Sequence, residues 1–126
     1  MSLTSVRRGA QNERACAMFF ASIGCQVFKT SSPGVAKGKR QIRGTMRTPG
    51  TPDLIVFHEP TATFFFWEAK AGKAVLTKEQ REFRDLADTC LEHFGSGDVE
   101  AAKRFAHELG ICEYDERTGL VTRKVA

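Results

Sequence analysis

Two apolar runs, residues 53–57 (DLIVF) and 63–69 (TFFFWEA), stand either side of a short segment with turn chemistry and Pro60. Short runs rich in β-branched and aromatic residues and bounded by turn residues read as buried strands. Together residues 53–70 predict an antiparallel hairpin in the middle of a sheet. That placement constrains the whole chain, because a strand buried on both faces needs helices above and below it. It also raises a question. The most apolar segment of the chain carries Asp53 at its front and Glu68 and Lys70 at its end.

The flanking segments supply the helices. Residues 9–23 place Ala15, Met18, Phe19 and Ile23 at helical spacing, and Gly24 follows where a helix end favours glycine. Residues 25–30 (CQVFKT) predict a short strand. A helix opens at LTKEQREFRDLAD with Thr77 as N-cap and Phe83, Leu86 and Ala87 on one face. CLEHF (90–94) is ambiguous between an extension of that helix and a strand, and the strand is preferred because GSGD follows. A last helix covers 98–109, closed by Gly110. Residues 111–126 form two short runs around a turn at 115–119. The order is α-β-loop-β-β-α-β-α-β(β), an α/β domain with a mixed β-sheet flanked by helices and a C-terminal β-hairpin extension.

With 126 residues the chain suits one domain, 1–126, around one core. No apolar run approaches the roughly 20 residues of a membrane helix. The opening MSLTSVRRGAQNER has no apolar h-region, so no membrane association and a cytoplasmic location are expected. The four cysteines form no C-x-x-C pair, which predicts reduced thiols rather than a zinc site.

Charge is divided unevenly. Residues 1–52 hold nine Lys/Arg against one acid, Glu13, a balance of +8, whereas the remainder is −4. Six of those cations, Lys29, Lys37, Lys39, Arg40, Arg43 and Arg47, fall in or beside the glycine- and proline-rich stretch 31–50. Residues 1–8 read as a flexible basic arm and 31–50 as a mobile basic loop or loose hairpin, since structureless segments longer than about 15 residues are usually functional or disordered. Such cations neutralise phosphates without reading bases, so the six are candidate DNA-binding residues.

The charged rim of the hairpin has a chemical reading. Alternation along a strand puts Glu68 and Lys70 on one face, and Asp53 opens the neighbouring strand. Two converging carboxylates resist joint ionisation unless a cation lies between them. Mg²⁺ (or Mn²⁺) suits one or two carboxylates, a main-chain oxygen such as that of Ala69, water and a substrate phosphate. A metal so held activates water and stabilises phosphoryl charge, and Lys70 would orient the water or meet the charge of the phosphorane. Glu-x-Lys alone is common, and as a surface ion pair it is worth under about 1 kcal/mol. The Gly-x-Pro-Asp fifteen residues ahead of Glu68 makes the pattern specific.

Gly50-Thr51-Pro52-Asp53, Glu68-Ala69-Lys70, then Leu76-Thr77 and Gln80, together resemble the VRR-NUC family, the virus-type replication–repair nucleases of the PD-(D/E)xK restriction-like superfamily. The resemblance spans roughly residues 9–110. It implies a restriction-endonuclease-like core in which Asp53 and Glu68 bind the metal, Lys70 is the catalytic lysine and Gln80 lies at the site. Glu13, within Asn12-Glu13, matches an acid that many relatives place in the first helix, and would be a further metal ligand. Thr77 to Gln80 also reads as a capping box, and the sequence leaves open whether Gln80 fills both roles. The short segment after Gln80 and the hairpin 111–126 depart from the family pattern.

The implied activity is that of a Mg²⁺- or Mn²⁺-dependent endodeoxyribonuclease for structured DNA, four-way junctions or flaps, in replication, recombination or repair. Family analogy adds a homodimer and a phage or mobile-element setting. The rivals are a sequence-specific restriction-type enzyme and a non-catalytic nucleic-acid-binding module.

Overall fold

The computed structural model describes residues 2–30 and 48–124. The elements follow as α1 (Ser2–Ser22), β1 (Gln26–Lys29), β2 (Leu54–His58), β3 (Thr63–Ala69), α2 (Lys78–Thr89), β4 (His93–Gly97), α3 (Val99–Glu108), β5 (Cys112–Asp115) and β6 (Leu120–Arg123), with one 3₁₀ turn at Glu59–Thr61. The first four strands make a mixed sheet in the order β1-β2-β3-β4. The predicted hairpin is its centre. β2 runs antiparallel to both neighbours, and β3 pairs in parallel with β4. A parallel pair needs a long crossover, which α2 and its connectors provide. The protein is therefore a mixed α/β sheet flanked by helices, with a separate β5-β6 hairpin.

The core lies between the sheet and the α1/α3 layer. Alternation along β3 turns Phe65 and Trp67 to this side, both fully buried. The Phe20 ring of α1 meets them at 5.1 and 5.3 Å between centroids, and Phe105 of α3 at 5.1 and 5.4 Å. Edge-to-face aromatic pairs of this kind add about 0.5–1.5 kcal/mol each to the burial of their area. The buried stripe is Cys16 and Phe20 of α1 and Ile23 just past its end. Sequence periodicity favoured Met18 and Phe19, yet Met18 is 65% exposed. Phe19 is half-buried and packs against the core as predicted, while contact with Trp67 and Phe65 buries the adjacent Phe20 fully.

The opposite face carries an aromatic row. Phe28, Phe57, Phe64 and Phe66 follow one another across β1, β2 and β3 with centroids 5.6–5.9 Å apart. α2 covers the far end of this row through Phe83, which meets Phe66 at 5.0 Å and Phe94 at 6.1 Å. Leu86 was expected beside Phe83 but is exposed, and Ala87 is the buried partner. Phe83 and Ala87 are four apart, one above the other on the helix, and Leu86 falls off that line.

Three further expectations change. α1 begins at Ser2 rather than at 9, so Arg7 and Arg8 stand exposed on a helix instead of in an arm. CLEHF divides. Cys90 caps α2, Leu91 takes a positive φ of 62°, and the strand starts only at His93. The strand runs on through Gly95 and Gly97, the glycines that follow CLEHF. A Cβ at Gly95 would sit 2.6 Å from Trp67 Cζ3 and 2.8 Å from Phe105 Cδ1, so this rung of β4 has no room for a side chain. Of the basic segment 31–50, residues 31–47 lie outside the described residues, and Lys37, Lys39, Arg40, Arg43 and Arg47 with them.

Cys16, Cys25 and Cys112 are buried and Cys90 is exposed, all four as free thiols. Burial pushes the Cys16 thiol up to about 11 and that of Cys25 up to about 12. His58 and His107 hold local structure. His58 Nδ1 and Thr61 Oγ1 lie 2.8 Å apart, and His107 Nδ1 is 3.1 Å from the Cys112 carbonyl oxygen.

Candidate active site

Register brings the hairpin's two acids together. Leu54 faces Trp67 across the β2–β3 ladder, so the next rung sets Asp53 opposite Glu68. The Ala69 main-chain N–H donates to Asp53 Oδ2 at 3.0 Å, which orients this carboxylate toward the end of β3. The Asp53 main chain is fixed as well. Its carbonyl accepts the Thr30 N–H at 3.0 Å, and the Thr30 hydroxyl donates to the Pro52 carbonyl. β1 thereby clamps the Pro-Asp dipeptide that opens β2.

Gly50 explains the head of the same motif. It has φ +93°, and a Cβ there would lie 2.5 Å from the Glu79 carbonyl oxygen in the first turn of α2. Only glycine permits that approach. The segment bearing Asp53 is thus packed on the helix bearing Gln80, although the two are far apart in sequence.

Glu68 is 4% exposed. A buried carboxylate is costly unless hydrogen bonded. Gln80 Nε2 donates to Glu68 Oε2 at 2.9 Å. The same amide oxygen of Gln80 accepts the Thr77 N–H at 2.8 Å, while Gln80 N donates to Thr77 Oγ1 at 3.2 Å. The capping box and the contact to Glu68 coexist, since one carboxamide has an acceptor end and a donor end. The direction of the side chain lets it make both contacts at once.

Lys70 follows the last residue of β3. Its N–H donates to the Gly97 carbonyl at 2.9 Å, continuing the parallel ladder past the strand end. That carbonyl also takes Asn12 Nδ2 at 3.5 Å from α1. Lys70 lines two open cavities, one of about 330 Å³ with Arg8, Ala71 and Ala74, the other of about 470 Å³ with Ser96, Asp98 and Arg104. A further cavity of about 480 Å³ lies at the opposite end of the hairpin, between Phe57, His58, Pro60 and Phe64, remote from the two acids.

Glu13 does not form a three-carboxylate metal-holding group with Asp53 and Glu68. Its Oε2 is 3.6 Å from Lys29 Nζ, which also ties Lys29, one of the six candidate DNA-binding cations, to α1. Among the described residues no three His, Cys, Asp or Glu side chains form a metal-holding group. A cation at this sheet end would rest on Asp53, Glu68 and the Ala69 carbonyl. All are hard oxygen donors, and two carboxylates with water and phosphate are a set that Mg²⁺ and Mn²⁺ accept. The donor chemistry fits.

The sequence reading took Arg8 only as part of a basic arm and gave Asn12 and Arg104 no role of their own. Arg8 and Asn12 are four apart on α1, one above the other, which was a readable signal. Arg104 reaches the site only through the parallel placement of β4 and α3.

No family model matches the chain, and no curated protein and no solved structure matches it either. No helix among the described residues is long and apolar enough to cross a membrane.

Proposed function

We propose that the chain is a divalent-metal-dependent DNA endonuclease of the restriction-like type, similar to VRR-NUC nucleases, with a preference for branched DNA. The observation that carries the reading is the pairing of Asp53 and Glu68 across adjacent strands, one oriented by the Ala69 N–H and the other by Gln80. Carboxylates set this way at a strand end, followed by a lysine, suit hydrolysis of a phosphodiester.

Asp53, Glu68 and the Ala69 carbonyl would hold Mg²⁺ or Mn²⁺. When bound, such a cation supplies Lewis-acid stabilisation of charge on the phosphoryl oxygen. Gln80 keeps the Glu68 carboxylate aimed by holding one of its oxygens. The Lys70 ammonium would donate hydrogen bonds to a phosphate oxygen or to the attacking water. That water forms the new P–O bond as one ester P–O bond breaks, and the departing oxygen takes a proton. Donors placed in advance cost little reorganisation as charge develops. A homodimer belongs to the same proposal, since two sites related by a two-fold axis suit paired cuts at a four-way junction.

The test is cleavage of a labelled four-way junction beside linear duplex of matched sequence, with Mg²⁺, Mn²⁺ or EDTA. Metal-dependent cutting confined to the junction, and lost in Lys70→Ala and Asp53→Asn, is expected. Cutting of both substrates removes the preference for branched DNA. Cutting that survives in both variants refutes the assignment of the site. Tight binding without cutting under either metal leaves a nucleic-acid-binding module.

A further inference from the structure

The two cavities that share Lys70 differ in origin but resemble each other in charge. Arg8 projects from α1 at one, one helical turn before Asn12, whose side chain reaches the Gly97 carbonyl. Arg104 projects from α3 at the other, with Ser96 and Asp98 on the same wall. Both arginines are exposed. Among the described residues Lys29, Arg84, Lys103, Arg117 and Lys124 each have a carboxylate within 4.0 Å. No ion pair is formed there by Arg8, Lys70 or Arg104. The one carboxylate on the wall beside Arg104, that of Asp98, is directed at the Ala101 N–H at 3.1 Å as the N-cap of α3.

We propose that Arg8 and Arg104 are phosphate-binding residues, one on each side of Lys70, that hold the phosphodiester groups flanking the scissile one on a single nucleic-acid strand. The inference rests on the nuclease reading of Lys70 and adds to it the path of the substrate backbone across the end of the sheet. Three physical arguments favour it. Arginine suits phosphate because its planar fork offers paired donors to two oxygens. Both clefts are open, so both side chains are accessible to a polyanion. The cations belong to helices packed on one core, so their separation is held by the fold.

The contact is sequence-independent, so it is read most directly in the salt dependence of binding. Each phosphate neutralised on B-form DNA contributes about 0.9 to the slope of log K against log salt. Binding of the labelled four-way junction and of linear duplex is measured by anisotropy in EDTA, where no cleavage occurs. The full chain is compared with Arg8→Ala, Arg104→Ala and the double variant. Each single variant is expected to lower the slope by about 0.9, equivalent to losing about 3.5-fold of the affinity change between 50 and 200 mM salt, and the double variant by about twice that. Arg117→Ala, at the turn of the β5-β6 hairpin, should leave the slope unchanged. Both target side chains are exposed, so their removal should alter stability little, which a thermal melt checks.

Wild-type slopes in both single variants, from a wild type that binds, overturn the inference and leave the nuclease reading intact. Arginine-dependent slopes with no cleavage under Mg²⁺ or Mn²⁺ uphold the phosphate path and overturn the nuclease. A wild type that binds neither DNA overturns both.

Discussion

Gln80 Nε2 lies 2.9 Å from Glu68 Oε2, while its Oε1 lies 2.8 Å from the Thr77 N–H. One side chain therefore joins the start of α2 to the carboxylate on β3. The position of the acid depends on a helix cap, and the cap and the acid can be separated by substitution.

Gln80→Glu keeps an acceptor for the Thr77 N–H but turns the donor toward Glu68 into a second carboxylate. Thr77→Ala does the reverse. It removes the cap hydroxyl and leaves Gln80 beside Glu68. We expect Thr77→Ala to cost about 1 kcal/mol of stability with cleavage nearly unchanged. Gln80→Glu should keep the cap but lose stability through the carboxylate pair, and cut at least about 10-fold more slowly, since losing a partner that orients a metal-binding carboxylate typically costs about 10–100-fold. Denaturant melts and junction cleavage on the same preparations check the pair. Equal activity of Gln80→Glu and wild type would sever the link between the cap and the site.

Gly95→Ala tests the packing of β4. The added methyl would meet Trp67 and Phe105 well inside contact distance. Overpacking of this kind costs about 1–3 kcal/mol. The expected result is a lowered midpoint in urea with an unchanged slope. A variant as stable as wild type would mean that β4 stands farther from Trp67 than described.

His58 predicts a pH dependence. Burial holds its pKa below the ordinary 6.5. Between the two values the unfolded chain binds a proton that the folded chain does not, so stability rises with pH in that window. The melting temperature should fall as pH drops below about 6.5, because protonation then favours the unfolded state. His58→Gln should flatten that part of the profile. Equal slopes from pH 7.5 to 5 in the two proteins would contradict the shift.

The cysteines give a chemical count. Of the four in the chain, only Cys90 is exposed. Iodoacetamide at neutral pH should label one thiol in the native protein and four in guanidinium, read by mass spectrometry. Labelling of Cys16 or Cys25 without denaturant would place them outside the core, since buried thiols with pKa values near 11 and 12 react slowly.

Much of the site was legible because its parts are local. Period-two alternation and the fifteen-residue interval from Asp53 to Glu68 are enough to predict a hairpin with acids at one end, and the ladder sets them opposite each other. Thr77 and Gln80 carry the cap in their spacing. Glu13 was legible only as an isolated acid among cations, and its position beside Lys29 depends on how α1 lies on β1.

By itself, then, the sequence determined the hairpin, the order of helices and strands and the acids at its rim, because alternation, caps and turns act over a few residues. Tertiary structure alone decided which phenylalanine of α1 is fully buried, why β4 needs Gly95, and that Gln80 reaches Glu68 without leaving its cap. It also placed Arg8 and Arg104 each in a cavity that Lys70 lines. Each of these follows from packing between elements distant in the chain, where the volume and direction of a partner's side chain select among local alternatives of nearly equal energy.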